Sequence, residues 1–340
     1  MKQVVVTGMG AVSPAGWGVD ALCRALAADV PLEETLLERP DQEPVGVRAV
    51  PQASAEILNQ LRHPRLRRAS PISRYAVWAA REALGETKET VDPETARIGI
   101  VYCTTCGCVS YSRRFYQETL DDPSLASPLV FPETVFNAPS SHLSTVLGNG
   151  AENYTLAGDA GTVLQGVALA AQLLLRGDLD GCLVVAAEER DWLIGDAFQL
   201  FSRSIPVAEG AGALYLTLSD GAEPRLNKIT DPFFYGPDRT RESAVESMAG
   251  QLAPGNAGED AILINGVTGS SRLDRPELLA WRHWAGIRTS VKTVMGEGFA
   301  AGGMWQVVAG VCALRTGEAK RAIVSLPGTY QFAIGAEFGI

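Results

Sequence analysis

The chain has 340 residues, of which 46% are hydrophobic and 20% charged, enough to bury a sizeable core in one large or two fused α/β units. No uncharged apolar run reaches the ~18 residues of a membrane span, and a strand begins at once, which predicts a cytoplasmic protein without a signal peptide or membrane partner. The net charge of −10 argues against a nucleic-acid partner, which would demand a basic face.

The first predicted elements are a strand at residues 4–7, a glycine-rich turn at 8–16 and a helix near 19–26. Gly8-x-Gly10 after a strand suggests a dinucleotide-binding turn. The third glycine is wrongly spaced, Pro14 intervenes, and no acidic residue ends a second strand about 20 residues on. The dinucleotide interpretation therefore fails.

Residues 32–52 carry many prolines and glutamates, which predicts an exposed excursion. Four arginines follow on this otherwise acidic chain, just before a helix predicted at 72–84: Arg62, Arg65, Arg67 and Arg68. Their simplest interpretation is a solvated approach to that helix.

The next part of the chain combines a buried strand at 98–103, a polar segment with aromatic residues at 106–120 and a helix at about 137–147. The motif Cys103-x-x-Cys106-x-Cys108 suggests a metal site. Structural zinc needs four ligands at defined spacing, and no fourth ligand lies nearby. We therefore predict no metal and no cofactor, and interpret the six cysteines as reduced core residues.

Residues 154–189 form a strand, a sharp turn at 158–161, a helix with apolar residues at i, i+3, i+4 and i+7, and a second buried strand. Such an elbow is where α/β enzymes place a nucleophile, because helix N–H groups and the positive dipole end point at its tip. Here the tip offers only Ala160.

The remaining residues repeat this order. Strands are predicted at 225–230, 261–265, 289–292, 321–326 and 331–338, with helices at 241–252, 276–284 and 299–314. Two similar halves, residues 1–222 and 223–340, fit a duplicated α/β fold with two sheets between helices.

Several stretches resemble the β-ketoacyl-acyl-carrier-protein synthases, members of the thiolase fold. Residues 4–18, VVVTGMGAVSPAGWG, are similar to the opening of that family, and residues 209–216, EGAGALYL, to its D-G-A-G strand. The resemblance extends from residue 4 to about residue 338. It implies a thiolase-like, duplicated five-layer αβαβα fold.

The family's catalytic cysteine lies in T-A-C-[ST]-[ST]-G, and its two histidines lie in N-A-H-G-T and K-x-x-x-G-H. Ala160, Val267 and Glu297 take these three places, while the lysine is retained as Lys292. A ketosynthase needs a thiolate to accept the acyl chain and two imidazoles to stabilise an enolate. The resemblance therefore implies that no catalytic residue is intact. We expect Lys292 to form an ion pair with Glu297 or Asp159.

The resemblance also implies where substrate and partners bind. In the family, the segment before the 137–147 helix lies near the subunit interface and lines the acyl pocket. The candidates are Cys106, Tyr111, Phe115, Phe131, Glu133, Phe136 and His142, and simple core or cap roles remain open for each. The arginines at 62–68 correspond to a region that docks an acidic acyl carrier protein. Residues 325–331 are a shortened form of the family's gating loop.

We therefore expect a non-catalytic, chain-length-factor-type subunit that pairs with an active ketosynthase and shapes its acyl tunnel in fatty-acid, polyene or polyketide synthesis. Such an interface should be large and apolar. Two alternatives stay open. One is a homodimer that binds an acyl thioester or acyl carrier protein, and the other is an enzyme with altered chemistry at Asp159, Lys292 and Glu297.

Overall fold

The computed structural model describes residues 2–40, 42–85, 96–148, 152–252 and 260–340. The first half contains strands β1 (Gln3–Ser13), β2 (Gly16–Trp17), β3 (Thr35–Arg39), β4 (Gln42–Arg48), β5 (Ile98–Thr104), β6 (Asn153–Ala157), β7 (Gly181–Glu188), β8 (Val207–Ala208) and β9 (Gly210–Ser219). The second contains β10 (Arg225–Ile229), β11 (Phe233–Phe234), β12 (Ala261–Asn265), β13 (Ile287–Ser290), β14 (Arg321–Pro327) and β15 (Phe332–Gly339).

The α-helices of the first half are α1 (Val19–Ala28), α2 (Ala55–Gln60), α3 (Pro71–Gly85), α4 (Val109–Asp121), α5 (Ala138–Leu147), α6 (Thr162–Arg176) and α7 (Trp192–Phe198). Those of the second half are α8 (Arg241–Leu252), α9 (Ser271–Ala280), α10 (Val291–Met295) and α11 (Phe299–Arg315). Short 3-10 turns lie at Pro64–Arg67 and Phe131–Glu133. No helix among the described residues is long and apolar enough to cross a membrane.

Alternate side chains of the strands point into different layers. In β5, Val101 and Cys103 join a central core with α6 and α11, whereas Ile100 and Tyr102 join an outer core with α3. On the far side, β12, β14 and β15 pack against α8. The layers are therefore helix, sheet, helix, sheet, helix, with α6 and α11 in the middle, as predicted.

The two sheet layers share one hydrogen-bonded strand order, β13-β12-β14-β15-β10-β1-β9-β7-β5-β6. They join where Val5 of β1 pairs with Arg225 of β10. The two predicted sheets are thus continuous at this seam. The division into residues 1–222 and 223–340 stays a prediction.

The exposed excursion predicted at residues 32–52 is a hairpin of β3 and β4 that is mostly exposed from residue 33 to 40, and β4 pairs in parallel with β8. Two predicted element bounds were wrong. The strand predicted at 289–292 ends at Ser290, where α10 begins. The helix predicted from Pro276 begins at Ser271, since the buried Asp274 carboxylate accepts the N–H groups of Thr268 and Gly269 and fixes the loop before it.

Candidate functional site

The elbow between β6 and α6 is buried and carries no nucleophile. Ala160 is 2% exposed, and α11 passes so close to it that a Cβ on Gly303 would lie 2.5 Å from the Ala160 carbonyl oxygen. Glycine at 303 therefore permits the contact between the two central helices. The position that the resemblance aligns with the family's cysteine holds a buried methyl group.

Asp159, the residue before Ala160, ties the elbow to the loop between β14 and β15. Its Oδ1 accepts the N–H groups of Ala160 (2.9 Å) and Thr329 (3.1 Å), and its Oδ2 accepts those of Tyr330 (3.0 Å) and Gln331 (2.9 Å). The Gln331 side chain in turn accepts the Asp159 N–H. Both carboxylate oxygens are thus occupied by backbone donors, which gives Asp159 a structural task.

Lys292 and Glu297 form the ion pair that the sequence suggested, and Glu297 rather than Asp159 is the partner. Lys292 Nζ lies 2.7 Å from Glu297 Oε2, and the two side chains are only 3% and 1% exposed. The other carboxylate oxygen accepts the Phe299 N–H at 2.8 Å. This contact holds Phe299 at a φ of +47°, which is unfavourable for a bulky residue.

Val267 lies just after β12 in a network that needs no imidazole. Its N–H donates to Asn265 Oδ1 at 3.1 Å, and Ser290 Oγ donates to the same oxygen at 2.8 Å. The buried Glu277 accepts the N–H of Gly266 and the hydroxyl of Ser325. Burial raises the pKa of Glu277 to about 7, although these hydrogen bonds and the nearby Lys292 oppose the shift.

An apolar cavity of about 340 Å³ opens next to the ion pair. Phe299 forms part of its wall and packs edge-on against Phe198 of α7, with ring centroids 5.4 Å apart. The remaining wall is contributed by Thr105, Cys106, Val109, Leu193, Ile194, Ala197, Phe201, Thr329 and Tyr330. Apolar walls with few polar groups suit a hydrocarbon chain.

The cavity floor near Cys106 is held by a buried carboxyl group. Glu188, at the end of β7, accepts the N–H groups of Thr105 (2.5 Å) and Cys106 (3.1 Å). Burial raises the pKa of Glu188 to about 8, against the effect of these donors. Burial also raises the pKa of the Cys106 thiol well above its usual value, and the carboxylates of Glu188 and Glu297 add to the shift. Cys106 is therefore a poor nucleophile.

The other predicted pocket residues lie outside this cavity wall. The hydroxyl of Tyr111 donates to the Arg68 carbonyl at 2.8 Å, and Phe115 packs on the exposed Phe131 at 5.4 Å. Glu133 is buried and binds His142 at 2.8 Å. Phe136 is half exposed and covers Gly107.

The segment that contains these aromatic residues exposes seven large apolar side chains. They are here called the 116–136 face and are Tyr116, Leu120, Leu125, Leu129, Phe131, Val135 and Phe136, each at least 40% exposed. Among the described residues, β6 is the last strand at one end of the sheet and pairs only with β5. Exposed apolar residues and an open strand edge are both typical of association surfaces.

The four arginines are all exposed, on or beside the 3-10 turn Pro64–Arg67. His63 begins this turn and accepts the Arg65 N–H on Nδ1. A shallow groove of about 450 Å³ runs beside it, lined by Leu58, Leu61, Arg62, His63, Pro64, Leu66, Arg67 and Arg74. Positive charge and an apolar floor thus occur together here.

Sequence reasoning missed most of the cavity wall. Leu193, Ile194, Ala197, Phe198 and Phe201 recur at helical spacing after the N-cap Asp191, and that periodicity was the available signal. For Tyr330 the signal was the resemblance of residues 325–331 to the family's gating loop, and Tyr330 does line the cavity. Among the described residues, no group of three or more His, Cys, Asp and Glu side chains could hold a metal ion.

Known proteins resemble this chain in sequence and in fold. Residues 1–204 match the family model of the β-ketoacyl synthase N-terminal domain. The chain is 27% identical over 191 residues to the 3-oxoacyl-[acyl-carrier-protein] synthase 2 of Staphylococcus aureus (strain COL), covering 55% of this chain and 46% of that protein. For the same enzyme of Vibrio cholerae the identity is 26% over 199 residues, 58% and 48% of the two chains. The chain spans about half the length of these curated relatives.

Solved structures match over the whole chain. The ishigamide ketosynthase/chain length factor has a TM-score of 0.83 at 19% identity, with 99% of each chain covered. A β-ketoacyl synthase from Burkholderia phymatum STM815 has a TM-score of 0.82 at 17% identity, covering 100% of this chain and 99% of the other. At such identities the likeness concerns the fold alone, and it confirms the predicted thiolase-like α/β architecture.

Proposed function

The chain belongs to the β-ketoacyl synthase family, and we propose that it is a non-catalytic member that pairs with an active ketosynthase and shapes its acyl tunnel. The observation that carries this proposal is the buried Lys292–Glu297 ion pair. Glu297 approaches Gly302 of α11, and the Ala160 backbone approaches the next residue, Gly303. The residues at the three catalytic positions are a methyl group, a hydrocarbon side chain and a paired carboxylate. None of them can accept an acyl chain or donate a hydrogen bond to an enolate.

Residual decarboxylation of malonyl thioesters is unfavourable for the same reason. Such a reaction develops negative charge on an enolate oxygen, which hydrogen-bond donors must stabilise. Val267 offers no side-chain donor, and an ionised Glu297 would repel the enolate. Asp159 cannot take over, because its oxygens already accept four backbone N–H groups. This arrangement also weighs against new acid–base chemistry at Asp159, Lys292 and Glu297.

The proposed pairing surface is the 116–136 face together with the free edge of β6. Seven large apolar side chains are exposed there. Obligate interfaces bury over about 2,000 Å² of largely apolar surface, so exposed residues of this kind are suited to one. Pairing would remove this face from water. It would also bring α4, with Tyr111 and Phe115, close to the partner's acyl tunnel.

The cavity at Phe198 and Phe299 supports a role in measuring chain length. A non-catalytic subunit can affect the product only through the space that it leaves for the growing chain. This cavity is apolar and adjoins α4 at Val109. The product would be a fatty-acyl, polyene or polyketide chain. The neighbour in fold whose name includes a chain length factor has the same architecture.

The exposed arginines are proposed to dock the carrier protein. Arg62, Arg65, Arg67 and Arg68 form a positive surface on a chain of net charge −10, which would attract an acidic partner and speed its encounter. Reversing two of these charges should mainly lower the association rate. The cytoplasm, where such carriers work, stays the predicted location.

The deciding experiment is co-expression with an active ketosynthase from the same biosynthetic gene cluster. We expect a one-to-one complex by size exclusion and native mass spectrometry, and products only from the complex. Phe198→Ala, which enlarges the cavity, and Phe136→Ala, on the pairing face, should lengthen the product. The matched control is Phe234→Ala, an exposed phenylalanine in the second half of the chain, which should leave the product unchanged.

Two outcomes would contradict the proposal. A homodimer that captures acyl carrier protein without any ketosynthase would favour a binding protein. Turnover of malonyl or acyl thioesters by the isolated chain, abolished by Glu297→Gln, would favour an enzyme with altered chemistry. Ala160→Cys gives a further check, because a thiol alone should restore no condensation while Val267 and Glu297 remain.

A further inference from the structure

Two cysteines from opposite ends of the chain meet between helices α1 and α11. The Sγ atoms of Cys23 and Cys312 lie 2.8 Å apart, although 289 positions separate the residues in sequence. Both side chains are half buried and pack at the margin of the central core. The pair is remote from the cavity, since neither residue lines it.

The distance is short for two thiols that are not bonded. It is less than the van der Waals separation of two sulfur atoms. A disulfide bond of ~2.0 Å would need the sulfurs to approach by only about 0.8 Å. Rotation about the side-chain bonds can supply a shift of that size without moving either helix far.

We propose that Cys23 and Cys312 are a redox-active dithiol that a disulfide oxidant converts to an intramolecular disulfide joining α1 to α11. This proposal does not depend on the pairing proposed above. Both thiols are free in the structure. The cross-link would connect the first helix of one half to the last helix of the other.

The two sulfurs have different roles because their surroundings differ. A hydrogen bond from Cys23 lowers the pKa of Cys312, and the nearby Arg315 lowers it further, against the effects of burial, Asp20 and Glu318. The same hydrogen bond raises the pKa of Cys23, and burial adds to the rise. Because the positive charge of Arg315 lies near Cys312 and favours its thiolate, we assign Cys312 as the attacking thiolate and Cys23 as the resolving thiol.

The reaction balances as two thiol–disulfide exchanges. The Cys312 thiolate attacks one sulfur of oxidised glutathione and expels a glutathione thiolate, which takes a proton. Cys23 then loses its proton and attacks the Cys312 sulfur, which breaks the mixed disulfide and expels the second glutathione. The protein dithiol is oxidised, and one molecule of glutathione disulfide is reduced to two thiols.

The other four cysteines provide an internal contrast. Burial raises the pKa of Cys108 and of Cys182 to about 12, and it also raises the pKa of Cys103 and Cys106. Buried thiols of high pKa react slowly with disulfides. Oxidation should therefore be confined to Cys23 and Cys312.

The test uses the whole chain treated with oxidised glutathione. After denaturation and alkylation, we expect mass spectrometry to show two of the six thiols protected, and a non-reduced digest to contain one peptide pair linking residues 23 and 312. Because the closed loop is long, the Tm should rise by about 3–8 °C, and dithiothreitol should reverse the rise.

Single substitutions separate the two roles. Cys23→Ser should stop at a stable glutathione adduct on Cys312, whereas Cys312→Ser should acquire almost none. Cys106→Ser is the control and should cross-link as the unsubstituted chain does. Six alkylatable thiols after oxidant treatment, or separate adducts on both residues without a cross-link, would overturn the proposal and leave only a thiol hydrogen bond. The peptide map of the unsubstituted chain decides the matter even if a serine variant folds poorly.

Discussion

Two neighbouring regions of this molecule have opposite character. The polar centre, formed by Lys292, Glu297 and Asp159, is sealed from solvent. Lys292 and Glu297 form an ion pair, and their side chains are only 1–3% exposed. The Asp159 carboxylate accepts four backbone N–H groups. The apolar cavity beside it stays open, with Phe201 and Tyr330 about 40% exposed at its edge. Space for a hydrocarbon thus lies directly beside a polar centre that is closed to solvent.

The contrast teaches which property the chain has kept. A site that had merely decayed would leave unpaired polar groups or a collapsed pocket, both of which cost stability. Here each polar remnant has a partner, and one of them supports the cavity directly, because Glu297 holds Phe299 by its backbone N–H. The buried ion pair therefore supports one part of the cavity wall.

The largest expected effect comes from breaking the buried ion pair. Lys292→Met leaves the Glu297 carboxylate buried without its partner, and we expect a loss of about 3–5 kcal/mol in the free energy of unfolding, measured with urea. Adding Glu297→Gln should restore most of this loss, because the amide oxygen can still accept the Phe299 N–H. The cavity wall at Phe299 should become less ordered in Lys292→Met but not in the double variant.

The matched control is the exposed pair Lys320–Asp260, which has a similar 2.8 Å contact at 77% and 66% exposure. Lys320→Met should cost no more than about 1 kcal/mol. Equal losses at Lys292 and Lys320 would mean that burial does not matter here, and the polar centre would not be sealed.

The second effect concerns the link from the elbow to the loop at 329–331. Asp159→Asn replaces one acceptor oxygen by an NH₂ group that faces backbone N–H donors, and we expect a loss of about 2–3 kcal/mol. Hydrogen exchange at Thr329, Tyr330 and Gln331 should accelerate with it. Asp178→Asn, in an exposed pair with Arg176, is the control and should change stability little. Unchanged exchange in the loop would show that Asp159 does not hold it.

The third effect is a dependence of stability on pH. Burial raises the pKa of Glu277 from its ordinary value of 4.5 to about 7 in the folded chain, so between these pH values the folded state keeps a proton that the unfolded state loses. The free energy of unfolding should therefore fall as pH rises through this window and level off above it. Glu188, with a pKa of about 8, adds to the same slope.

Glu277→Gln isolates the contribution of one carboxyl group. The amide oxygen can still accept the Gly266 N–H and the Ser325 hydroxyl, so the variant should fold. Relative to the unsubstituted chain, the decline in unfolding free energy between pH 5 and pH 8 should be smaller by about 1–3 kcal/mol. Parallel pH profiles for the two proteins would refute the assignment.

The sequence alone was sufficient for the layered architecture, because it depends on local patterns. The assignment of the family's catalytic positions to Ala160, Val267 and Glu297 stays a prediction. Buried runs such as 261–265 and the elbow at 158–161 are recognisable without tertiary contacts. Chemistry predicted an ion pair for Lys292 with either Glu297 or Asp159, and the structure shows that Glu297 is the partner. The cavity did not follow, because its wall combines α4, α7, the start of α11 and a loop near residue 330. The thiol pair at 23 and 312 joins helices far apart in sequence, and no periodicity indicates such a contact.

The smallest effect on stability should come from filling the open cavity, and this prediction tests its role most directly. Ala197 lines the cavity from an exposed position on α7, so Ala197→Leu adds a side chain to free space and should change the free energy of unfolding by less than about 1 kcal/mol. The affinity for a fluorescent fatty acid should fall by about tenfold, ~1.4 kcal/mol. Ala27→Leu, on the exposed surface of α1, makes the same change elsewhere and should leave this affinity unaltered. Equal binding by both variants would mean that hydrocarbon binds somewhere else, and the openness of the cavity would then have no functional meaning.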